Sequence, residues 1–319
     1  MDLADIKINK KVQIVFMGTP EFAVPVLEGL ITSGYKIRAV VCQPDRKKDS
    51  DGNIQFPPVK QIAIDNTILV LQPEDINEEY EEILNLEPDL IITCAYGQIL
   101  PKVILDAPRL GCINVHASLL PKLRGGAPIH KAIIEGYTKT GITIMYMNSK
   151  MDAGDIITQE EVEITAEETA SSLHGKLKIV GKDLLLKTLP SIIKGTNSRT
   201  KQNHAEATYG FTLKREDERI DFKKSKRQIY NQIRGLNSWP GAYCLFKGMV
   251  LKVWSSRVTD NHFSGFEGEI TALYDDGFGV KVSNGEVVFT EVSLEGKRRM
   301  CAADFINGHK EDLVGKVLD

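Results

Sequence analysis

The stretch that decides the fold reads Val12-Gln-Ile-Val-Phe-Met-Gly-Thr-Pro-Glu-Phe22. Its opening residues form a short apolar run, which predicts a buried strand, and Gly18 predicts a tight turn directly after it. Beyond the turn, Thr19 is a candidate N-cap, and Pro20 suits the first position of a helix. Apolar residues then recur at helical spacing, namely Phe22, Val26 and Leu30. The stretch therefore predicts a strand, a turn and a helix.

The same alternation continues along the chain. Further strands are predicted over 37–42, 68–71, 89–94 and 112–115, and helices over 59–65, 77–86 and 166–194. The strands are apolar without interruption, which is typical of a parallel sheet covered by helices on both faces. We therefore predict an open, Rossmann-like, mostly parallel α/β sheet. Ligands of such sheets bind beyond the carboxyl ends of the strands.

The pattern changes after a polar stretch without periodicity, residues 195–208, which we interpret as a linker. Residues 1–194 are the predicted catalytic domain. Residues 209–319 predict one helix, at about 225–236, followed by short strands that are separated by turn signals such as Asn284-Gly285. This pattern favours a smaller C-terminal β-barrel, for which the oligonucleotide-binding (OB-like) barrel is one candidate.

Composition narrows the classes of function. With 319 residues, 42% of them hydrophobic and 26% charged, the chain is typical of a globular protein of two domains. A net charge of -3 means that any polyanion must bind to a local basic patch. The five cysteines form no C-x-x-C pair, so we interpret them as reduced apolar residues. Because no signal peptide and no apolar run of ~20 residues occurs, we expect a cytoplasmic protein without a membrane partner.

The most informative stretch reads Gly111-Cys-Ile-Asn-Val-His-Ala-Ser-Leu-Leu-Pro-Lys-Leu-Arg-Gly-Gly-Ala-Pro128. Asn114 and His116 are two positions apart at the end of a predicted strand, so both side chains point to the same side, where a ligand cleft should open. The Leu-Leu-Pro corner after them offers a stiff apolar wall suited to a flat heteroaromatic ring. A lone histidine would more often be a satisfied core residue, but the whole stretch favours a site.

A second stretch, Met151-Asp-Ala-Gly-Asp-Ile156, supplies carboxylates in a glycine-containing turn. Taken alone, Asp152 and Asp155 would be ordinary acids of a surface turn. Together with the preceding stretch, however, the order of residues resembles the signature of the folate-dependent formyltransferases. That resemblance implies that Asn114, His116 and Asp152 are the catalytic residues.

The resemblance extends in the same order over nearly the whole chain, except the last dozen residues, and is strongest to the members that act on tRNA. The segments that carry it are Phe16–Phe22, Gln43–Arg46, Ala95–Pro101, Ala207–Tyr209 and Ile233–Tyr243. It implies transfer of a formyl group from 10-formyltetrahydrofolate to the α-amino group of initiator methionyl-tRNA, for translation initiation. It also implies that four loop residues hold the folate, namely Ser118, Leu119, Leu120 and Pro121. We expect no metal, and we expect a monomer.

Formyl transfer suits these residue types. A neutral amine attacks the formyl carbon and produces a tetrahedral centre whose oxygen carries negative charge. We expect protonated His116 and the amide of Asn114 to donate to that oxygen, and a preorganised donor of this kind is typically worth ~3 kcal/mol. Asp152 would favour the charged imidazole and could order a water that carries the proton of the amine. An α-amino group has a pKa near ~8, so part of it is already neutral.

Basic residues outside this set are candidates for contact with RNA, because Lys and Arg displace the counterions of phosphates. Arg46 is the candidate in the loop 46–57, which mixes acids with bases where the family usually has a basic loop. The second domain adds Lys223, Lys224, Lys226, Arg227, Lys297, Arg298 and Arg299. Residues 210–213 also depart from the family, whose members commonly carry a Lys-containing run there.

Three other functions remain open. A formyltransferase that acts on an amino-sugar nucleotide would share the same catalytic residues and folate loop, although Trp239-Pro240 and Gln43–Arg46 favour tRNA. A hydrolase of the formyl donor would use water in place of the amine. A non-catalytic RNA-binding protein of the same fold is the third alternative. It would have no need of His116 and Asp152 at a cleft, which argues against it.

Overall fold

The structure is a computed structural model that describes residues 11–47, 54–309 and 313–319. The chain forms two compact units, which are described separately below. The first contains residues 1–128, 140–163 and 174–211, and the second contains 129–139, 164–173 and 212–319. The domain limits predicted from the sequence (1–194, the linker 195–208 and 209–319) stay a prediction.

Helices and strands alternate through the first part of the chain. In chain order the strands are β1 (Gln13–Gly18), β2 (Lys36–Val41), β3 (Arg46–Lys47), β4 (Ile54–Gln55), β5 (Leu69–Leu71), β6 (Leu90–Cys94), β7 (Cys112–His116), β8 (Lys139–Tyr146) and β9 (Ile156–Glu163). The helices are α1 (Val24–Thr32), α2 (Pro58–Asp65), α3 (Glu81–Asn85), α4 (Lys102–Asp106), α5 (Pro128–Ile134) and α6 (Ala170–Lys194). The predicted alternation of strands and helices is confirmed.

In the described part of the chain, β1, β2 and β5–β9 form one seven-stranded sheet in the order β5-β2-β1-β6-β7-β8-β9. The pairs from β5 to β7 are parallel, and β8 runs antiparallel to β7. On β1, Ile14 and Phe16 point to one face of the sheet and Val15 and Met17 to the other, and all four are fully buried. Burial on both faces explains the unbroken apolar strands, and the predicted Rossmann-like, mostly parallel sheet is confirmed.

The turn after β1 joins the carboxyl ends of three strands. A Cβ on Gly18 would lie 2.8 Å from the carbonyl oxygen of Cys94, so only glycine allows this approach. The hydroxyl of Thr19 donates to the carbonyl of Tyr96 at 3.0 Å and accepts from the amide of Gln43 at 3.2 Å. The prediction that Thr19 caps a helix is therefore wrong: a 3₁₀ turn comes first, and α1 begins only at Val24. Its hydroxyl instead bonds to backbone groups beyond the ends of β2 and β6.

The described part of the second unit contains a β-sheet, residues 129–134 of α5, the first turn of α6, and the helices α7 (Arg215–Glu218), α8 (Lys226–Gly235) and α9 (Ala302–His309). Its strands are β10 (Ala242–Phe246), β11 (Met249–Thr259), β12 (Ile270–Tyr274), β13 (Gly277–Val282), β14 (Gly285–Leu294) and β15 (Met300–Cys301). These described strands form a six-stranded sheet in which β10-β11-β14-β13-β12 follow one another, with β15 paired to β14. All pairs are antiparallel.

The C-terminal segment 316–319 bonds to both edges of this sheet. The amide of Leu245 on β10 donates to the carbonyl of Asp319 at 2.7 Å, and the amide of Ile270 on β12 donates to the carbonyl of Lys316 at 2.8 Å. Between them, Leu318 is 2% exposed. Because the segment bridges the two edge strands, it closes the sheet, and the predicted small β-barrel is confirmed. Residues 316–319, which carried no part of the sequence resemblance, thus complete the barrel.

Shortening the buried side chain of this closing segment should destabilise the barrel. We expect Leu318→Ala to lower the free energy of unfolding by about 2 to 4 kcal/mol, the usual cost of a cavity left by a buried leucine. Val317→Ala is the matched control, because Val317 is 46% exposed. Both tryptophans of the chain, Trp239 and Trp254, lie in the second unit, so their fluorescence during urea unfolding reports on this barrel. Equal unfolding midpoints for the two variants would contradict the closing role.

The cysteines are separated by the fold as the sequence predicts. Within the described ranges Cys42, Cys94, Cys112 and Cys244 are buried and Cys301 is exposed, and all are free thiols. Burial raises the pKa of Cys42 to about 12 and that of Cys112 to about 12, and it also raises the pKa of Cys94 and Cys244. A thiol must be deprotonated to react, so the buried groups are inert in the native state.

A thiol titration checks this arrangement. At pH 8 a disulfide reagent such as DTNB should react quickly with one thiol of the native protein and with all five after unfolding in denaturant. The Cys301→Ala variant should show no fast phase. A second fast thiol in the native parent would mean that one of the buried cysteines opens to solvent more easily than its burial indicates.

Across the described residues, no helix combines the length and the apolar character that a bilayer crossing requires.

Candidate active site

The three residues predicted to be catalytic lie together in the first unit. Asn114 and His116 occupy the carboxyl-terminal half of β7, and Asp152 lies in the turn between β8 and β9. The Nδ1 atom of His116 is 3.7 Å from Oδ2 of Asp152, and Nδ2 of Asn114 is 3.4 Å from Oδ1. An imidazole, an amide and a carboxylate therefore surround one small space.

The orientation of His116 is set by a backbone carbonyl. Its Nε2 atom lies 3.0 Å from the carbonyl oxygen of Leu123. A carbonyl can only accept, so Nε2 carries the hydrogen, and Nδ1 is the nitrogen that faces Asp152. Leu123 has a φ of 55°, a left-handed conformation that is uncommon for residues other than glycine. Because His116 is 6% exposed, this contact holds a nearly buried ring.

The amide of Asn114 is oriented by the neighbouring strand. In the parallel register of β6 and β7, Thr93 is the partner of Asn114. The hydroxyl of Thr93 donates to Oδ1 of Asn114 at 2.8 Å. The oxygen of the amide is therefore occupied, and its NH₂ group faces the carboxylate of Asp152. The donor that formyl transfer would require thus points into the space between the three residues.

The carboxylate of Asp152 is held by one backbone amide, and the turn that carries it is tightly packed. Its Oδ2 atom accepts from the amide of Gly125 at 2.8 Å. The backbone of Asp152 has a φ of 48°, which lies in the left-handed region. Two residues later, a Cβ on Gly154 would lie 1.9 Å from the carbonyl oxygen of Tyr146. The turn therefore packs against the end of β8 at a distance that only glycine permits.

A buried polar network supports this turn from residues that the sequence analysis did not identify. The side-chain amide of Gln202 donates to the carbonyl oxygens of Asp152 and Gly154, at 2.8 Å each. Its Oε1 atom accepts from Nε and Nη2 of Arg124 at 3.1 and 2.6 Å. Nη2 of Arg124 also lies 3.0 Å from Nδ1 of His204, which must accept there. Nε and Nη2 of the guanidinium thus have partners although Arg124 is 4% exposed.

The sequence signal for these residues was weak. Gln202 and His204 lie in the polar stretch interpreted as a linker, which has no hydrophobic periodicity. Arg124 stood inside the quoted motif without an assigned role. The only available hint was position, since Gln202 and His204 directly precede the Ala207–Tyr209 segment that carries the resemblance.

The predicted folate loop is built from two kinds of residue. Ser118 and Leu120 are 1% and 3% exposed, and the hydroxyl of Ser118 is bonded to a backbone carbonyl of the loop at 2.6 Å. The hydroxyl of Thr143 on β8 donates to the carbonyl of Ser118 at 2.6 Å and accepts from the amide of Leu120 at 3.1 Å. These two residues hold the shape of the loop, whereas Leu119 and Pro121 are partly exposed.

Of the candidate RNA-binding residues, Lys226 is partly buried and the others are exposed, namely Arg46, Lys223, Lys224, Arg227, Lys297, Arg298 and Arg299. Two of the candidates, Lys226 and Arg299, have intramolecular partners. Lys226 donates to the carbonyl of Thr259 at 2.7 Å, and Nε of Arg299 bonds to Glu291 at 2.6 Å. Residues 48–53 of the loop after Arg46 lie outside the described residues.

Two of the exposed candidates line a cavity in the second unit. The cavity measures about 800 Å³, and its charged lining consists of Lys131, Arg219, Lys224, Arg227, Arg234, Glu135, Glu216 and Asp217. Cations outnumber acids there, and Lys131 is paired with Asp217 at 3.3 Å. Burial also lowers the pKa of the Arg234 guanidinium. The sequence analysis missed Lys131, Arg219 and Arg234, because they are isolated charges that only folding brings beside Lys224 and Arg227.

In the part of the chain that the structure describes, no group of three or more His, Cys, Asp or Glu side chains is arranged to hold a metal ion.

Comparison with known proteins assigns the family. A sequence model of formyl transferase matches residues 10–189, and one of the formyl transferase C-terminal domain matches residues 212–310. Together they span most of the chain, and the site within the first match holds the amide, imidazole and carboxylate described above. The chain belongs to the formyl transferase family.

Two relatives are similar to this chain over nearly their full length. Methionyl-tRNA formyltransferase from Geobacillus sp. (strain WCH70) is 51% identical over 300 residues, which covers 93% of this chain and 94% of that protein. Methionyl-tRNA formyltransferase from Bacillus cereus (strain B4264) is 51% identical over 309 residues, which covers 96% of this chain and 98% of that protein. The resemblance inferred from the motifs is confirmed.

Solved structures support the fold. HypX from Aquifex aeolicus, in complex with tetrahydrofolic acid, matches with a TM-score of 0.66 and 16% identity over 96% of this chain and 49% of that chain. The N-formyltransferase from Helicobacter canadensis, in complex with folinic acid and dTDP-3-aminofucose, matches with a TM-score of 0.68 and 21% identity over 88% of this chain and 100% of that chain. At these identities the likeness establishes a shared fold.

Two variants of Gln202 separate its two sets of hydrogen bonds. Gln202→Ala removes both, and we expect it to lower the free energy of unfolding by about 1 to 3 kcal/mol, because a buried guanidinium and two carbonyls lose a partner. Gln202→Glu keeps the acceptor for Arg124 but loses the donor to the turn of Asp152. In thermal unfolding, Gln202→Glu should therefore be more stable than Gln202→Ala. Its kcat in formyl transfer should fall as much as that of Gln202→Ala.

Gln61→Ala is the control for these variants, since Gln61 is an exposed residue of α2 and its replacement should change stability by less than about 0.5 kcal/mol. If both Gln202 variants kept the kcat of the parent protein, the turn of Asp152 would not depend on this network.

Proposed function

We propose that this chain transfers the formyl group of 10-formyltetrahydrofolate to the α-amino group of initiator methionyl-tRNA in the cytoplasm, acting as a monomer. The observation that carries the proposal is the convergence of Asn114, His116 and Asp152, with contacts of 3.4 and 3.7 Å to the carboxylate. The name shared by full-length relatives at 51% identity supports methionyl-tRNA as the acceptor. A monomer suffices because all three side chains come from one chain.

The distances within the site suit a small group placed between the three side chains. Direct N–H···O hydrogen bonds measure about 2.7 to 3.2 Å, so at 3.4 and 3.7 Å from the carboxylate neither Nδ2 of Asn114 nor Nδ1 of His116 makes a close hydrogen bond to it. Such contacts commonly tighten once a substrate is bound. The formyl oxygen can then accept from Nδ2 of Asn114 and from protonated Nδ1 of His116 as negative charge develops on it.

The proton balance follows from the same groups. The neutral amine of methionine forms a bond to the formyl carbon, which gives a tetrahedral centre with a positively charged nitrogen. A water held by the Asp152 carboxylate takes a proton from that nitrogen. When the oxyanion collapses, the bond from the carbon to N10 of the folate breaks, and the water that took the proton from the amine delivers it to N10. The carboxylate also stabilises the imidazolium form of His116 while the oxyanion exists.

The folate would lie against the loop 118–121. Ser118 and Leu120 are committed to the shape of the loop, so we assign contact with the heteroaromatic ring to Leu119, Pro121 and the backbone groups. Use of folate is a property of the formyl transferase family. The HypX structure contains tetrahydrofolic acid and the Helicobacter canadensis enzyme contains folinic acid, which agrees with a folate donor. The 10-formyl derivative as the donor is part of the proposal.

The RNA would meet the exposed basic residues. We assign phosphate contacts to Arg46, Lys223, Lys224, Arg227, Lys297 and Arg298, which are exposed, because each phosphate contact releases condensed counterions. Lys226 and Arg299 would have to exchange their present partners for phosphates, so their contribution should be smaller. Affinity for tRNA should accordingly fall as salt concentration rises.

The function is tested by offering two acceptors to the purified protein. With 10-formyltetrahydrofolate labelled in the formyl group, label should reach methionyl-tRNA and should not reach a dTDP-amino sugar. We expect His116→Ala to lower kcat by roughly 100- to 1000-fold, the usual effect of removing one preorganised donor. The measurement is the initial rate of label transfer at saturating concentrations of both substrates.

His262→Ala is the matched control, since His262 is an exposed histidine of the second unit and its replacement should leave kcat unchanged. Transfer of label only to the amino sugar would replace the proposed acceptor. Release of free formate with no labelled acceptor would indicate a hydrolase. A His116→Ala variant with parental kcat would remove the proposed role of the imidazole.

A further inference from the structure

Tyr209 and Phe211 of the first unit are exposed aromatic residues that stack on each other. Tyr209 and Phe211 are 46% and 59% exposed. Their ring centroids are 5.2 Å apart and the ring planes differ by 7°. A pair of large apolar rings that remains in contact with water is a common feature of binding surfaces. Stacking leaves each ring one open face on which a further planar group can pack.

The backbone holds this pair in a fixed place. The amide of Gly210 donates to the carbonyl of Arg124 at 2.7 Å, and the amide of Ala127 donates to the carbonyl of Gly210 at 2.8 Å. A Cβ on Gly210 would lie 3.2 Å from Cα of Pro128. The backbone at Gly210 therefore packs closely against the loop that contains Arg124 and Ala127, and glycine is favoured between the two rings. Residues two apart in an extended segment point to the same face, which brings Tyr209 and Phe211 together.

The same loop contacts the candidate catalytic carboxylate. The amide of Gly125, which lies between Arg124 and Ala127, donates to Oδ2 of Asp152 at 2.8 Å. A Cβ on Gly125 would lie 3.0 Å from the carbonyl oxygen of Gly210, so the residue between the two rings packs directly against Gly125. The aromatic pair is therefore on the order of 10 Å from the carboxylate. A group stacked on the pair would belong to a substrate whose reacting atom lies in the site.

We propose that Tyr209 and Phe211 form a stacking platform for the unpaired base at the 3′ end of the acceptor RNA, an inference that rests on the proposed function. The amino acid of an aminoacyl-tRNA is esterified to the ribose of its terminal nucleotide. The terminal base is therefore only a ribose and an ester away from the reacting amine, which matches the spacing from the carboxylate. Aromatic side chains that stack on bases are the usual means of holding single-stranded nucleic acid.

The alternative occupant is the aminobenzoyl-glutamate part of the folate. That part ends in carboxylates, which favour cationic partners, whereas the open faces of Tyr209 and Phe211 are uncharged. A base has a π-face and no charge of its own, and two parallel rings can extend a stack of successive bases. The platform thus fits the RNA better than it fits the donor, and the two occupants predict different kinetics.

Four substitutions at Phe211 test the platform by steady-state kinetics. Phe211→Ala and Phe211→Leu should raise the KM for methionyl-tRNA about tenfold, a size typical of the loss of one base stack. Phe211→Tyr and Phe211→Trp keep a π-face and should stay within about twofold of the parent protein. The KM for 10-formyltetrahydrofolate and the kcat should not change in any of the four. Phe266→Ala is the matched control, because Phe266 is 76% exposed and belongs to the second unit.

A second acceptor assigns the effect to the terminal base. In methionyl-tRNA that lacks this base but keeps its ribose and ester, the ratio of KM between Phe211→Ala and the parent should fall from about ten to about one. A ratio that stays near ten would place the contact elsewhere on the RNA and overturn the proposal.

Other outcomes are equally decisive. A raised KM for the folate with an unchanged KM for tRNA would assign the platform to the donor. Equal losses in the Ala, Leu, Tyr and Trp variants would mean that Phe211 acts only in packing. If the parent protein did not formylate methionyl-tRNA at all, the proposed function itself would fail. If it did so while Phe211→Ala matched the parent, only the platform would be wrong.

Discussion

The hydrogen bond between Nε2 of His116 and the carbonyl of Leu123 is the contact on which the site depends. It assigns a hydrogen to Nε2 and leaves Nδ1 to face Asp152 at 3.7 Å. If the ring were flipped, Nδ1 would bond to the carbonyl of Leu123, and Nε2 would face the carboxylate of Asp152. The unusual backbone conformation of Leu123, with a φ of 55°, accompanies this contact. Uncommon conformations of this kind persist where surrounding packing determines them, and they are frequent at functional sites.

The second requirement is that the buried polar groups satisfy one another. An unpaired buried donor or acceptor costs about 1 to 3 kcal/mol, so a polar site inside a fold must be complete. Thr93 bonds to the oxygen of Asn114, Gly125 to the carboxylate of Asp152, and Gln202 to the carbonyls of its turn. What remains unused after these bonds is one amide NH₂, one ring nitrogen and part of one carboxylate. These are the groups that the proposed formyl transfer uses, and they face the space between the three residues because the neighbouring polar atoms are bonded elsewhere.

Sequence reasoning reached the sheet, the barrel and the three converging residues for identifiable reasons. Apolar runs and helical spacing are local signals, and the three residues lie in two motifs that carry the family resemblance. The strand register that brings Thr93 beside Asn114 was not predicted. The same reasoning failed at Thr19, since a hydroxyl before a proline looks like a cap whether it bonds to its own helix or to the strand ends around it. It also passed over Gln202, because a polar stretch without periodicity has the same pattern whether it is a free linker or a support for an active site.

By itself, the sequence determined the fold class, the family and the identity of the three candidate catalytic side chains, since the strand and helix patterns and the motifs that carry the resemblance are each short segments of the chain. Only the tertiary structure decided which nitrogen of His116 faces the site, that Gln202 and Arg124 support Asp152, that residues 316–319 close the barrel, and that Tyr209 and Phe211 lie beside the loop of Gly125. The physical reason is the range of the interactions. Helical spacing and strand alternation act between near neighbours, whereas these contacts join residues far apart in the chain, and their partners are fixed by packing that no short segment contains.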